Sequence, residues 1–198
     1  MTGQIGQPSL VAMSVTTRSA ASPVSAFHQL LGEQIAHEFA ASQQYIALAS
    51  FYANEDLPQL AKHFYGQSVE ERNHAMMIIQ YFLDRDMAVE VPGIAAPQSH
   101  FGDFREPIKL ALHQEQTVTD QIIALAKTAR DEGDYLGEQF MQWFLKEQVE
   151  EVAVMTTLQT VAERCNGNTF DLENFVQREL NVAAEADATA PSIAGGAI

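Results

Sequence analysis

The sequence predicts an all-α protein: a four-helix bundle with one long crossover and a short fifth C-terminal helix. Four long stretches repeat apolar residues at spacings of three and four, and no strand-like alternation competes with them. Two or three residues separate the first helix from the second, and again the third from the fourth, which makes antiparallel neighbours. Between the second and third lies MAVEVPGIAAPQSHFGDF, a long segment bearing Pro and Gly. A helix of about 27 residues is about 40 Å long, and about 18 extended residues reach up to about 60 Å. The linker can therefore run the length of the bundle and set helices two and three parallel.

Each element has its own signals. The first helix is expected from Ser22-Pro23, with Pro in the first turn, to about Asn54. The second follows Asp56, carries Pro58 in its first turn and ends near Asp86. The third runs from Glu106-Pro107 to Glu132, where Gly133 is a good stop. The fourth takes Asp134 as N-cap and ends near Cys165, before Asn166-Gly167; the fifth follows Thr169 and ends near Leu180. Residues 1–22 lack helical periodicity and read as a disordered tail; residues 181–198, with Pro191 and a Gly pair, read as a flexible one. The folded domain is 23–180.

Composition narrows the function. The chain has 198 residues, 46% hydrophobic and 19% charged, with a net charge of -15. This acidity argues against nucleic acid and anionic membranes and suits metal cations, although solubility alone would also account for it. A single cysteine, Cys165, allows no intrachain disulfide, and no stretch approaches a membrane span, so a cytoplasmic location is expected.

The chemistry lies in the seams. They read Leu31, Ile35, Glu38, Ser42, Tyr45, Ala49 in helix one and Leu60, Phe64, Gln67, Glu71, His74, Ile78, Tyr81 in helix two. Helix three has Ile108, Leu112, Glu115, Thr119, Ile122, Ala126, and helix four has Met141, Phe144, Gln148, Glu151, Met155, Leu158. Every seam is interrupted near its midpoint by a carboxylate, so packing brings Glu38, Glu71, Glu115 and Glu151 to one depth. Buried together as bare charges they would be strongly unfavourable. A pair of divalent cations neutralises them, and carboxylates with one imidazole suit iron or manganese. The Glu71-x-x-His74 spacing puts both side chains on one helix face. Glu71 can bridge two metals while His74 ligates one. Glu70, Glu147 and Glu150 project beside the seam and read either as an ordinary polar face or as a third metal site.

The strings HEFAASQQY (37–45), VEERNHA (69–75), LHQEQ (112–116) and QFMQWFLKEQVEE (139–151) resemble the ferroxidase motifs of non-haem bacterial ferritins. EDLPQLAKHFY (55–65) and RDEGD (130–134) are similar to segments of actinobacterial ferritins. The resemblance covers residues 26–180 and implies the ferritin-like variant of the bundle. It implies one iron held by Glu38, Glu71 and His74, and a second by Glu71, Glu115 and Glu151, with Gln148 close by. It places a third iron at Glu70, Glu147 and Glu150. Tyr45 and Trp143 match aromatics that hydrogen-bond to, or donate electrons at, such centres; simple core packing would also explain both. Two departures from related families matter. The second Glu-x-x-His of bacterioferritins and rubrerythrins is absent, since residues 147–151 read Glu-Gln-Val-Glu-Glu, and Arg72 stands where bacterioferritins carry a haem-ligating Met. No haem is expected.

The function implied is iron storage and detoxification. Fe(II) would be oxidised with O2 or H2O2 and stored as Fe(III) mineral inside a homo-oligomeric cage of 24 subunits, with neither nucleic acid nor membrane as partner. Asp131, Glu132, Asp134 and Glu138 at the turn into helix four read as helix capping or as lining of an iron-entry channel. Alternatives are a storage-only subunit, a DNA-protecting mini-ferritin, or cargo held in an encapsulating shell by the tail SIAGGAI. The site residues oppose the first. The single Arg and absent Lys in residues 1–30 oppose the second, and the tail supports the third only weakly.

Overall fold

The computed structural model describes residues 25–182 and 187–198. The expected N-terminal tail 1–22, and Ser22-Pro23 as a helix start, lie outside the described residues. Helix α1 spans Ala26–Asn54, α2 Pro58–Asp84, α3 Glu106–Glu132, α4 Tyr135–Arg164 and α5 Thr169–Phe175, followed by a π-helical turn at Val176–Leu180. The architecture is the all-α bundle with a short fifth C-terminal helix, and there is no strand among the described residues.

Capping fixes the boundaries. α1 begins behind Ser25, whose Oγ accepts from His28 N at 3.2 Å. Pro58 occupies the first turn of α2, where its missing N–H costs nothing. α3 stops at Gly133, whose φ of 73° is left-handed backbone that glycine adopts without strain. α4 begins behind Asp134, whose Oδ1 accepts from Gly137 N at 2.9 Å.

Long-range bonds establish the helix directions. The Glu132 carboxylate, at the end of α3, accepts from Ala26 N at 2.9 Å and Phe27 N at 3.1 Å, at the start of α1. At the other end, the Tyr52 hydroxyl donates to Phe104 O at 2.7 Å, just before α3 begins. α1 and α3 are therefore antiparallel. Because α2 runs antiparallel to α1, α2 and α3 are parallel, as the long crossover requires. That crossover lies along α1: Gln98 N donates to Gln44 Oε1 at 2.8 Å, and Phe101 packs edge-on to Phe51 at 5.2 Å. α5 closes one end, where Glu173 accepts from Gln59 N and Leu60 N at 2.8 and 2.9 Å, serving two orphan donors of α2.

All four acids at the turn into α4 already hold partners. Asp131 pairs with Lys127 at 2.6 Å, Glu138 with Arg130 at 2.7 Å and Asp134 with Arg85 at 3.3 Å, while Glu132 caps α1.

The core divides in two. Phe27, Leu31, Ile35, Ile78, Ile122 and Met141 belong to one apolar cluster; Tyr45, Leu48, Tyr52, Phe64, Ile108 and Leu158 belong to the other. Residues 187–198, part of the stretch expected to be a flexible tail, lie against the bundle. Ala190 and Ile193 pack on the first cluster, and Ala194 N donates to Met76 O at 3.2 Å. Apolar side chains near the end of the chain find partly covered surface on α2 and α4, which the tail's low-complexity composition does not reveal.

Candidate metal centre

The site sits between the two apolar clusters, because each helix substitutes a polar residue for an apolar one at the same level of its seam. Glu38 of α1, Glu71 and His74 of α2, Glu115 of α3 and Gln148 of α4 are all buried; Glu151 of α4 is half-buried. Oxygen and nitrogen atoms of Glu38, Glu71 and His74 lie within 4.8 Å of one another. His74 Nδ1 is 3.3 Å from Glu71 Oε2 and 4.0 Å from Glu38 Oε2. Glu115 Oε1 is turned towards the Tyr45 hydroxyl, which donates to it. Gln148 Oε1 accepts from Thr119 Oγ1 at 2.8 Å.

Two oxygens stand out. Glu38 Oε2 and Glu115 Oε2 are buried and accept no hydrogen bond from any of the described residues. Buried carboxylate oxygens without a donor are strongly unfavourable, and a cation is the partner that relieves them. The hard oxygen donors and one imidazole fit iron or manganese.

The electrostatics agree. Burial pushes Glu71 well above the ordinary carboxylate range, and the neighbouring charges of Glu115 and Glu38 push it further. Burial raises Glu115 to about 7 against the opposing hydrogen bond from Tyr45. Glu151 is raised well above its usual value by burial and then by Glu115 and Glu70. His74 is lowered by burial, with Glu38 opposing, which favours the neutral imidazole that can coordinate a metal. Burial, then Glu115, raises the Tyr45 hydroxyl well above its ordinary value, so it stays a proton donor to that carboxylate. At Glu71, Glu115 and Glu151 burial and mutual repulsion thus favour the neutral acid over the bare carboxylate, and a cation would reverse that preference.

A cavity of about 910 Å³ opens the centre sideways between α2 and α4. His74, Glu151, Glu70, Glu147 and Glu150 all line it. Glu70 is tied to Gln67 Nε2 and Glu147 lies 3.7 Å from Lys146, so the three acids Glu70, Glu147 and Glu150 face one space without forming a tight cluster.

Some partners escape a reading of the seams. Gln34 Nε2 donates to Glu38 Oε1 at 2.9 Å and holds that carboxylate in place. It stands one helical turn before Glu38, so its spacing was a signal available in the sequence. The His74 ring packs edge-on against Trp143 at 5.5 Å and Phe144 at 5.6 Å, contacts that depend on α4 crossing α2 at this point.

The family model described as a ferritin-like domain matches residues 28–165. Ferritin BfrB of Mycolicibacterium smegmatis is 63% identical over 172 residues, 87% of this chain and 94% of that protein. Ferritin BfrB of Mycobacterium tuberculosis is 60% identical over 174 residues, 88% of this chain and 96% of that protein. The open-pore ferritin of Archaeoglobus fulgidus superposes with a TM-score of 0.77 at 24% identity, covering 82% of this chain and all of the other, a likeness of fold. A polar layer of buried carboxylates and one histidine inside this bundle, and a match across the whole of it, lead to one conclusion: the chain belongs to the ferritin family.

Proposed function

We propose that this ferritin stores iron and oxidises Fe(II) to Fe(III) at the buried carboxylate layer. The observation that carries the reading is the convergence of Glu38, Glu71 and His74, with buried oxygens on Glu38 and Glu115 that meet no donor among the described residues. Glu38, Glu71 and His74 take one iron; Glu71 bridges to a second held by Glu115 and Glu151, with Gln148 beside it. Iron is the substrate here. Two Fe(II) ions each give up one electron, and O2 takes the pair with two protons to become H2O2, or H2O2 is itself reduced to water. Carboxylates favour the higher charge of Fe(III), which sets the direction of transfer. Tyr45 holds Glu115 through its hydroxyl and keeps its own proton, so Glu115 is presented to iron by one oxygen.

Glu70, Glu147 and Glu150 line the cavity beside the pair and form a third iron site on the way out. The working form is a homo-oligomer, a cage of 24 subunits in the cytoplasm, and the centre works without haem. No helix among the described residues is long and apolar enough to cross a membrane.

Aerobic addition of Fe(II) to wild type and Glu71→Ala, followed by absorbance, tests the centre. The variant should slow initial oxidation by at least about tenfold, the scale on which metal sites lose function when their shells are altered. Equal initial rates sink the reading. Native mass then separates a cage from a small oligomer.

A further inference from the structure

A metal-ligating histidine is usually oriented by a hydrogen bond from its second ring nitrogen to a carboxylate or carbonyl. His74 has no such bond among the described residues; the hydrogen-bond partner of its ring is Glu71 itself. Its orientation is left to packing, with Trp143 edge-on at 5.5 Å and 76° and Phe144 at 5.6 Å and 69°. Phe144 is buried, but Trp143 is half-buried and needs a tether of its own.

The tether comes from outside the bundle. Asp187 Oδ2 accepts from Trp143 Nε1 at 3.1 Å and from Lys146 Nζ at 3.3 Å. An indole has one polar hydrogen, and this bond uses it. Asp187 Oδ1 accepts from Thr189 N and Thr189 Oγ1 at 2.8 and 2.6 Å, so both oxygens are engaged. These bonds hold Asp187 well below the ordinary carboxylate range, so it is ionised at neutral pH. Further along, Ile193 packs in the same cluster as Trp143, and Ala194 N reaches Met76 O. Asp187 and Ile193 also line the cavity that His74, Glu147 and Glu151 face.

We propose that Asp187 is a positioning residue of the metal centre, holding the Trp143 indole against His74 and thereby setting how the imidazole meets Glu38 and Glu71. The effect on oxidation rests on the ferroxidase reading above; the tethering itself is a property of the metal-free chain.

Trp143 is the single tryptophan, so emission excited beyond the tyrosine band reports on the surroundings of this one indole. In metal-free protein, Asp187→Ala should move the emission to longer wavelength and make it easier to quench with acrylamide, while Asp187→Glu should restore the wild-type spectrum. Titration with Co(II) should then show weaker binding in Asp187→Ala, by up to about tenfold, the lower end for loss of an orienting partner. In a Trp143→Phe background, Asp187→Ala should add nothing further, because its route to His74 is gone. An unchanged emission in Asp187→Ala overturns the proposal, and so does an unchanged Co(II) affinity. Full persistence of the Asp187→Ala effect in Trp143→Phe overturns it too. Emission and Co(II) affinity need no turnover. If Glu71→Ala oxidises iron as fast as wild type while both Asp187 effects appear, the ferroxidase reading fails and the positioning role stands.

Discussion

The apolar layers of the bundle and the carboxylate layer between them use the same helices and the same spacing, yet contribute to stability with opposite sign. In one apolar layer Tyr45, Phe64 and Tyr52 stack in sequence, with ring centroids 5.7 and 5.4 Å apart, and each is fully buried. Burying such side chains stabilises the fold by about 1.5–3 kcal/mol each. Two seam positions away, Glu71, Glu115 and Glu38 crowd together, with Glu38 and Glu115 each leaving an oxygen without a donor among the described residues. One or two polar exchanges per helix thus turn a stabilising layer into one that costs free energy until a cation arrives. The apolar layers carry the stability that the metal layer gives up for function.

That contrast can be broken from either side. Phe64→Ala removes a ring wedged between two others, and should lower unfolding stability by about 3–5 kcal/mol in denaturant titration. Gly137→Ala should cost about 1–3 kcal/mol, because a Cβ there would lie 2.4 Å from the ring of Phe27, which is fully buried. Native-like activity in the Gly137 variant, with a lowered melting temperature, would place the loss in packing alone.

Glu115→Gln should act in the reverse direction and by less. At neutral pH it should stabilise the metal-free protein by about 1–2 kcal/mol while slowing iron oxidation, since it removes a buried acid raised to about 7. The same effect appears as a pH dependence. Glu71, Glu115 and Glu151 are raised in the folded chain, so that state keeps protons the unfolded chain releases. Stability of the metal-free protein should therefore fall as pH rises from about 4.5 towards about 7. Melting with and without Co(II) at pH 5 and 7.5 checks this. A loss that is the same with metal bound would mean that the carboxylate layer is not its source.

Most of this contrast was legible in the chain itself. The three-and-four periodicity places Leu31, Ile35, Ile78 and Ile122 inside, and all are fully buried. The same periodicity places Glu38, Glu71, His74, Glu115 and Gln148 inside, because a polar residue in an apolar seam is conspicuous. Tyr81 and Leu112, at seam positions, are only half-buried. Asp187 was not legible: its alanine-rich surroundings have no apolar seam, and its partner lies 44 residues away.

The sequence by itself determined the four helices, their caps at Asp134 and Gly133, the parallel pairing that the long crossover allows, and the burial of Glu38, Glu71 and Glu115 near the middle of their helices. These follow from local geometry, in which spacing along the chain sets the face of a helix. Only the tertiary structure decided which carboxylate oxygens meet no donor among the described residues, that Tyr45 of α1 holds Glu115 of α3, and that the C-terminal stretch reaches Trp143 beside His74. Those contacts depend on how side chains from different helices fill a shared space, and no repeat along one chain segment encodes that.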